Sequence, residues 1–208
     1  MTDAKDFITV RPDELTGRER YGVLTSLVVP RPIGWISTHS AGGVPNLAPF
    51  SYFTALTSTP PLVGASIGFR RGEPKDTLRN IRQTGGFCVN VCSEDLLEAM
   101  NLSSGEYPPS VDEISLAGLT AVMGETVDAP WVREAPAVLE CELFKEVELG
   151  EAPNVFVIGE VRAIHFSRTL ELLPGSWAAD PASLRPVGRL GADRYSLQGE
   201  IRILPRPG

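Results

Sequence analysis

The sequence predicts a mainly β protein, an antiparallel barrel with short helical excursions. From Tyr21 onward, short runs of β-branched and aromatic residues are bounded by glycine and proline, which is typical of strands joined by turns. Helical patterns are few and short, and no β-α-β unit repeats along the chain. This second observation argues against a doubly wound parallel sheet.

Composition limits the kind of protein this can be. The 208 residues carry a formal net charge of −7, with 42% hydrophobic and 22% charged residues. We expect one domain over residues 1–208, with an N-terminal arm at 1–20 and a C-terminal tail at 197–208. The acidic balance disfavours nucleic-acid binding, because a polyanion needs a basic surface.

The amino terminus and the cysteines indicate the compartment. The first residues include acids where a signal peptide is basic and then apolar, and no apolar run reaches the roughly 18 residues of a membrane span. Three cysteines are an odd number, which fits a reducing compartment. We therefore expect a cytoplasmic protein without membrane association. Because the chain has two histidines, we also expect no bound metal.

The first part of the chain contains four predicted strands. Gly42 and Gly43 are predicted to form the hairpin turn between the second and the third. Pro49 interrupts the third, which favours a bulge or an irregular segment whose backbone groups are free to meet a ligand. The four strands are predicted at residues 22–29, 32–38, 46–56 and 61–69.

The remaining chain mixes helices and strands. Gly85 is the predicted stop of the first helix, Ser93 the cap of the second, and Ser110 the start of a third with capping-box spacing. Residues 119–136 are predicted as a loop, and residues 150–153 join two long strands into a hairpin. The expected elements are helices at 76–86 and 93–104 and strands at 87–91, 137–149 and 154–166.

Three basic residues stand directly before the helix that Asp76 or Thr77 begins. They are Arg70, Arg71 and Lys75. A helix start offers unpaired N–H groups and partial positive charge, so together with these cations it favours an anion such as a phosphate. The alternative is an ordinary helix start with solvated basic neighbours.

Two segments that face each other across the predicted hairpin combine hydroxyl, amide and aromatic side chains. A planar heterocycle needs such a mixture, because its edge takes hydrogen bonds and its faces pack against rings. The alternative is that the rings, Phe50 and Phe53 among them, fill the barrel core. The two segments are residues 35–39 and 46–53.

Two further features give no clear functional signal. His165, near the end of the last long strand, is either a structural residue or a group for proton transfer, the latter if it faces a ligand. Residues 188–195 contain two glycines but lack the preceding strand and following helix of a dinucleotide-binding motif. No hydrolase or P-loop motif is present, and the sequence identifies no catalytic residue.

Five segments resemble, in order, the signatures of the flavin reductase-like, flavoredoxin-type proteins. The resemblance implies an antiparallel split β-barrel of Greek-key type that binds FMN and forms a homodimer, with the flavin near the subunit interface. The segments are RPIGWIST (31–38), NLAPFSYF (46–53), PPLVGASIG (60–68), KDTLRNIRQTGGFCVNV (75–91) and LRPVGRLGADRYS (184–196).

The resemblance also implies which residues hold the flavin. One strand flanks the ring and the ribityl chain, main-chain groups of the next segment continue that wall, and three polar residues hold the phosphate. These sets are Trp35, Ile36, Ser37 and Thr38, then Asn46, Leu47, Ala48 and Pro49, and finally Ser51, Lys75 and Thr77.

The function implied by the resemblance is that of a flavoprotein oxidoreductase. The most direct form is an NAD(P)H-dependent flavin reductase, with NADH or NADPH as the reductant. One alternative is a flavoredoxin-like electron-transfer protein that serves another redox protein and oxidises NAD(P)H inefficiently. Another is a barrel that binds a small phosphorylated ligand without redox chemistry.

Overall fold

The structure is a computed structural model that describes residues 7–150 and 154–207. Strands outnumber helices in these residues. The strands are β1 (Arg31–Pro32), β2 (Gly34–His39), β3 (Pro45–Phe50), β4 (Phe53–Ser58), β5 (Pro61–Arg70), β6 (Glu73–Pro74), β7 (Gly86–Asn90), β8 (Ala121–Met123), β9 (Pro130–Val132), β10 (Ala137–Leu149), β11 (Asn154–Phe166), β12 (Gly188–Arg189) and β13 (Tyr195–Ser196). The helices are α1 (Gly17–Leu27), α2 (Asp76–Thr84), α3 (Leu97–Leu102), α4 (Glu113–Leu116) and α5 (Pro181–Leu184), with 3-10 turns at Pro12–Glu14 and Glu94–Leu96. Within the described ranges, no helix combines the length and the apolar character of a membrane span.

The main sheet is antiparallel and has the strand order β3-β2-β7-β10-β11-β5-β4, with β6 paired to β5. Its terminal strands β3 and β4 do not pair with each other in the described part of the chain, so the barrel stays open. Two small antiparallel sheets, β1-β12-β13 and β8-β9, lie beside it. The predicted mainly β, antiparallel architecture is confirmed.

Both faces of the central strands are buried. Successive residues of a strand point to opposite faces. Ile36 and Val89 therefore lie in a cluster inside the barrel, together with Ile81 of α2. Trp35 and Cys88 lie in a second cluster on the outer face, which α3, α4 and the β8–β9 hairpin cover. β2 and β7 are thus fixed from both sides.

Most elements predicted after residue 30 are confirmed. Helix α2 ends at Gly85, which takes a φ of +74° and donates its N–H to the carbonyl of Ile81. The β2–β3 hairpin turns at Gly43, which has a φ of +80°. The strands predicted at 32–38, 61–69, 87–91, 137–149 and 154–166 correspond to β2, β5, β7, β10 and β11. Residues 151–153 of the predicted connection lie outside the described residues.

The prediction of a strand over residues 22–29 is wrong, because most of that stretch belongs to α1. A capping box starts the helix. The side chain of Thr16 accepts the N–H of Glu19, and the Glu19 carboxylate accepts the N–H of Thr16 at 2.8 Å. This start signal outweighs the β propensity of the valine-rich run that follows. The predicted arm at 1–20 therefore includes the first turn of α1.

Two predictions about strand boundaries also need correction. The single strand predicted over 46–56 is divided into β3 and β4 by a bend at residues 51–52. Residues 119–136, predicted as a loop, contain the β8–β9 hairpin. Tertiary contacts hold this hairpin, since the N–H of Val132 donates to Asn90 Oδ1 at 2.7 Å. No local sequence pattern predicts such contacts.

Two predicted helix caps differ from those observed. Asp112, not Ser110, caps α4, because its carboxylate accepts the N–H groups of Ile114 and Ser115. The side chain of Ser93 makes no capping hydrogen bond in the described residues, and a 3-10 turn leads into α3. The predicted helix at 93–104 is accordingly shorter.

Buried Glu140 of β10 holds the loop of the β8–β9 hairpin. Its carboxylate accepts the N–H groups of Glu125 and Thr126 at 2.8 and 2.7 Å, and also the Thr126 hydroxyl. His165 Nε2 lies 2.7 Å from the same carboxylate, and the His165 ring stacks on Trp131. Burial by itself raises the pKa of Glu140, but these hydrogen bonds outweigh burial and lower the pKa to about 2. The position of His165 corresponds to the structural alternative.

We predict that Glu140→Gln lowers the free energy of unfolding by about 3 kcal/mol at pH 7. The pKa of Glu140 is lower in the folded than in the unfolded state. Its contribution is therefore complete above about pH 4.5 and is lost as the pH falls toward 2. Urea denaturation of both proteins should give a smaller difference at pH 3 than at pH 7. Glu142→Gln, which changes an exposed carboxylate of the same strand, is the control. Equal stability of Glu140→Gln and the wild type at pH 7 would contradict the prediction.

Candidate functional site

A cavity of about 160 Å³ lies beside β3, at the edge of the main sheet. Three parts of the chain line it. They are β3 through residues 46 and 48–50, Arg70 with residues 75–77 at the start of α2, and residues 103–107 with Glu113. The predicted anion site and part of the predicted heterocycle site therefore face the same cavity.

β3 is an edge strand: in the described part of the chain it is hydrogen-bonded to β2 alone. The N–H of Leu47 points away from β2 and donates to Glu113 Oε2 at 3.1 Å. Outward-facing positions recur every second residue, so Pro45 and Pro49 face outward as well. Proline has no N–H, and at these positions no hydrogen bond of the ladder is lost. Pro49 thus lies in a regular edge strand opposite Trp35, where an irregular segment was predicted.

The start of α2 brings positive charge to the cavity. Lys75 occupies the N-cap position, and its side chain makes no capping hydrogen bond in the described structure. Asp76 pairs with Arg79 and lies 3.8 Å from Arg70. The Lys75 ammonium lies 5.7 Å from the centre of the Phe50 ring. The surrounding protein and the positive charge of Arg70 lower the pKa of Lys75.

Buried polar side chains connect α2 to β3 and Glu113. Thr77 Oγ1 donates to Asn46 Oδ1 at 2.8 Å, and Asn46 Nδ2 donates to Glu113 Oε2 at 3.2 Å. Thr38 contacts the same Asn46 oxygen and accepts a hydrogen bond from Asn80 Nδ2 at 3.0 Å. Burial raises the pKa of Glu113, against the opposing effect of the hydrogen bonds that it accepts. The Thr77 hydroxyl proton is used within the protein, whereas the backbone N–H of Thr77 belongs to the first turn of α2, where N–H groups have no helical partner.

The structure brings five of the eleven predicted site residues to the cavity wall. Those five are Asn46, Ala48, Pro49, Lys75 and Thr77. The other six, Trp35, Ile36, Ser37, Thr38, Leu47 and Ser51, lie away from the wall. Residues 35–37 are paired on both sides, so their backbone groups belong to the sheet. The binding roles of all eleven stay predictions.

Several of the residues away from the wall bind other parts of the protein. Trp35 Nε1 donates to Ser103 Oγ at 2.9 Å, and Ser103 belongs to the segment that lines the cavity. The hydroxyl of Ser37 donates to the β8–β9 hairpin. Ser51 Oγ accepts a hydrogen bond of 3.4 Å from Arg31. Trp35 therefore does not line the cavity but stabilises the 103–107 segment that does.

Glu113 and the segment 103–107 were not predicted as parts of the site. Glu113 follows the Asp112 cap, so in the sequence it has the position of an ordinary acidic residue in a first helical turn. Its partners Asn46 and Leu47 lie 67 and 66 residues earlier in the chain. No local signal in the sequence distinguishes Glu113.

A second, larger cavity, of about 430 Å³, has a mostly apolar wall. Main-sheet residues such as Phe53, Val89 and Leu139 line it, together with residues 186–188 and 196–199. Arg31 also lines this cavity, but its guanidinium binds three backbone carbonyl oxygens. Of the segment 188–195, Gly188 lines this cavity, and no residue of the segment lines the one beside β3.

The cysteines carry no chemistry at either cavity. Cys88, Cys92 and Cys141 are free and buried. Burial raises the pKa of all three thiols, that of Cys92 to about 12. A thiol that stays protonated is a poor nucleophile, so these side chains serve packing.

A comparison with protein-family models decides the family. Residues 26–177 match the model described as the flavin reductase like domain. This chain belongs to the flavin reductase-like family. Among similar proteins, BH2278 of Halalkalibacterium halodurans is 40% identical over 203 residues, which cover 95% of this chain and 96% of that protein.

Solved structures agree with membership of the flavin reductase-like family. Nitrilotriacetate monooxygenase component B from Bacillus cereus is 33% identical, with a TM-score of 0.90 over 95% of this chain and 98% of that one. A protein of Shewanella frigidimarina, described as a flavin reductase with a split barrel domain, is 27% identical, with a TM-score of 0.81 over 94% and 96% of the two chains. The split β-barrel predicted for this flavin reductase-like chain is confirmed.

Proposed function

We propose that this protein binds FMN and catalyses the reduction of flavin by NADH or NADPH. The observation that carries the proposal is the cavity beside β3, where the start of α2, Lys75 and Arg70 offer an anion site in a barrel of the flavin reductase-like family. The similarity to a monooxygenase component and to a flavin reductase supports an enzyme of this class.

The residues at the start of α2 suit the phosphate of FMN. An N-terminal turn has N–H groups without helical partners, and the helix dipole adds positive charge there. The Lys75 side chain does not cap these groups, and its ammonium is available to an anion. In this proposal the phosphate accepts hydrogen bonds from the first turn of α2 and from Lys75.

The size of the cavity suggests how the rest of FMN is placed. A volume of about 160 Å³ is smaller than the roughly 300–1,000 Å³ that small-molecule sites occupy. The cavity therefore takes the phosphate and the ribityl chain, and the ring extends beyond it along the outward edge of β3. The carbonyl groups of Leu47 and Pro49 face that side and can accept hydrogen bonds from the ring.

Bound FMN supplies the redox chemistry, since it accepts a hydride and passes on electrons. The residues of this chain bind and orient it. The hydrogen bonds from Thr77 through Asn46 to Glu113 keep α2 and β3 in one relative position. Strand β2 stabilises the position of β3 and of the 103–107 segment without lining the cavity, through residues Trp35, Ile36, Ser37 and Thr38.

We also propose that the protein is a homodimer. Helix α1 buries Thr25 against its own chain, whereas Tyr21, Leu24 and Leu27 are each more than half exposed. Edge strand β4 is exposed from residue 54 to residue 58. Burial and, to a lesser extent, the nearby Tyr21 raise the pKa of Tyr52, just before β4, so the helix and the strand belong to one side of the molecule. A second copy would cover this apolar surface.

We predict that the purified protein binds added FMN and that NADH or NADPH then bleaches its visible absorption under anaerobic conditions. Stopped-flow spectroscopy measures the rate. Bleaching by a protein donor, with no fast reaction with either nicotinamide, would contradict the reductase and indicate an electron carrier. Failure to bind FMN would contradict the flavin site itself.

We predict that Lys75→Ala weakens FMN binding about tenfold or more, because a charge-assisted hydrogen bond is worth roughly 1.5–3 kcal/mol. Riboflavin has no phosphate, so its affinity should stay the same. Fluorescence titration measures both. Lys145→Ala removes an exposed lysine from β10 and serves as the control. An equal loss for both ligands would place Lys75 away from the phosphate.

We predict that Leu24→Glu converts the dimer to a monomer, since it places a charge in the apolar face of α1. Arg18→Glu, which changes an exposed residue in the first turn of the same helix, should leave the dimer intact. Sedimentation velocity at micromolar concentrations distinguishes the two states. A monomeric wild type would refute the proposed assembly.

A further inference from the structure

Glu113 is a buried carboxyl at the wall of the β3 cavity, and phosphate binding does not use it. Its residue is 6% exposed. Oε2 accepts two hydrogen bonds, from the Leu47 N–H and from Asn46 Nδ2. The other oxygen, Oε1, has no hydrogen-bond partner among the described residues. Oε1 is not fully enclosed by protein, so a donor from a ligand in the cavity can reach it.

The neighbours of Glu113 fix where that donor must be. The Asn46 amide separates the carboxyl from the start of α2, because its oxygen faces Thr77 and its nitrogen faces Glu113. A ligand whose anionic group lies at the start of α2 therefore meets a hydrogen-bond acceptor, the Glu113 carboxyl, on the other side of the Asn46 amide. Since a carboxylate repels a phosphate, the part of the ligand beside Glu113 must be uncharged and must donate.

A polyol phosphate has this order of groups. In FMN the ribityl chain carries hydroxyls directly after the phosphate, and the volume of the cavity suits that part of the molecule. We propose that Glu113 accepts hydrogen bonds from ribityl hydroxyls and thereby selects flavins that carry a ribityl chain. Burial raises the pKa of Glu113, which agrees with a desolvated position next to a ligand. The proposal rests on the FMN site proposed above.

Glu113→Gln is the variant that tests this role. Glutamine can keep its oxygen toward Leu47 and Asn46, while its NH₂ replaces the free acceptor with a donor. Three ligands are titrated: FMN, riboflavin and lumiflavin, which has a methyl group in place of the ribityl chain. We expect about tenfold weaker binding of FMN and of riboflavin, with lumiflavin unchanged within about twofold. Glu98→Gln, an exposed glutamate of α3, is the matched control.

The outcomes separate this proposal from the FMN site on which it depends. An equal loss for all three ligands, or no loss for any, would overturn the role of Glu113, whereas a wild type that binds no FMN would overturn the site. Lys75→Ala should weaken FMN alone, so the two variants give different ligand profiles. If Glu113→Gln does not fold, the wild type still decides. Riboflavin should bind about tenfold or more tightly than lumiflavin, and equal affinities would refute the proposal.

Discussion

The edge position of β3 is the constraint on which the site depends. A strand that is paired on one side leaves every second N–H and C=O directed outward. Pro45 and Pro49 occupy two of these positions, and the Leu47 N–H between them binds Glu113. The prolines prevent a further strand from pairing fully at this edge, so the space beside β3 stays open to the start of α2 and to a ligand.

Strand β2, the neighbour of β3, holds this edge in place. β2 is hydrogen-bonded on both sides and buried on both faces, with Ile36 in the barrel and Trp35 under the outer cover. Asn90 donates to the Trp35 carbonyl and the Ser37 hydroxyl and accepts the N–H of Val132, which joins β2 to the hairpin cover. Residues behind the cavity thus determine where the strand that lines it lies. Glu140 acts at the far end of the same cover.

The sequence was informative where local signals agree with tertiary contacts. The stop at Gly85 and the long hairpin of β10 and β11 were predictable, because a glycine with positive φ and two β-rich runs need no distant partner. α1 was missed because the capping box at Thr16 precedes a run of strong strand formers. Alternation along residues 35–38 could not reveal that both faces are covered. Glu113 could not be found, since its partners are brought to it by the fold.

Polar groups that a ligand can reach lie together beside β3. The polar side chains that hold the outer cover, such as Asn90 and Glu140, make several hydrogen bonds each. At the cavity, no side chain caps the first turn of α2 in the described structure, and Glu113 Oε1 has no hydrogen-bond partner among the described residues. A ligand with an anion followed by hydroxyl donors matches these groups in type and order. The positive end of the cavity and its carboxyl are therefore best explained together, as parts of one site.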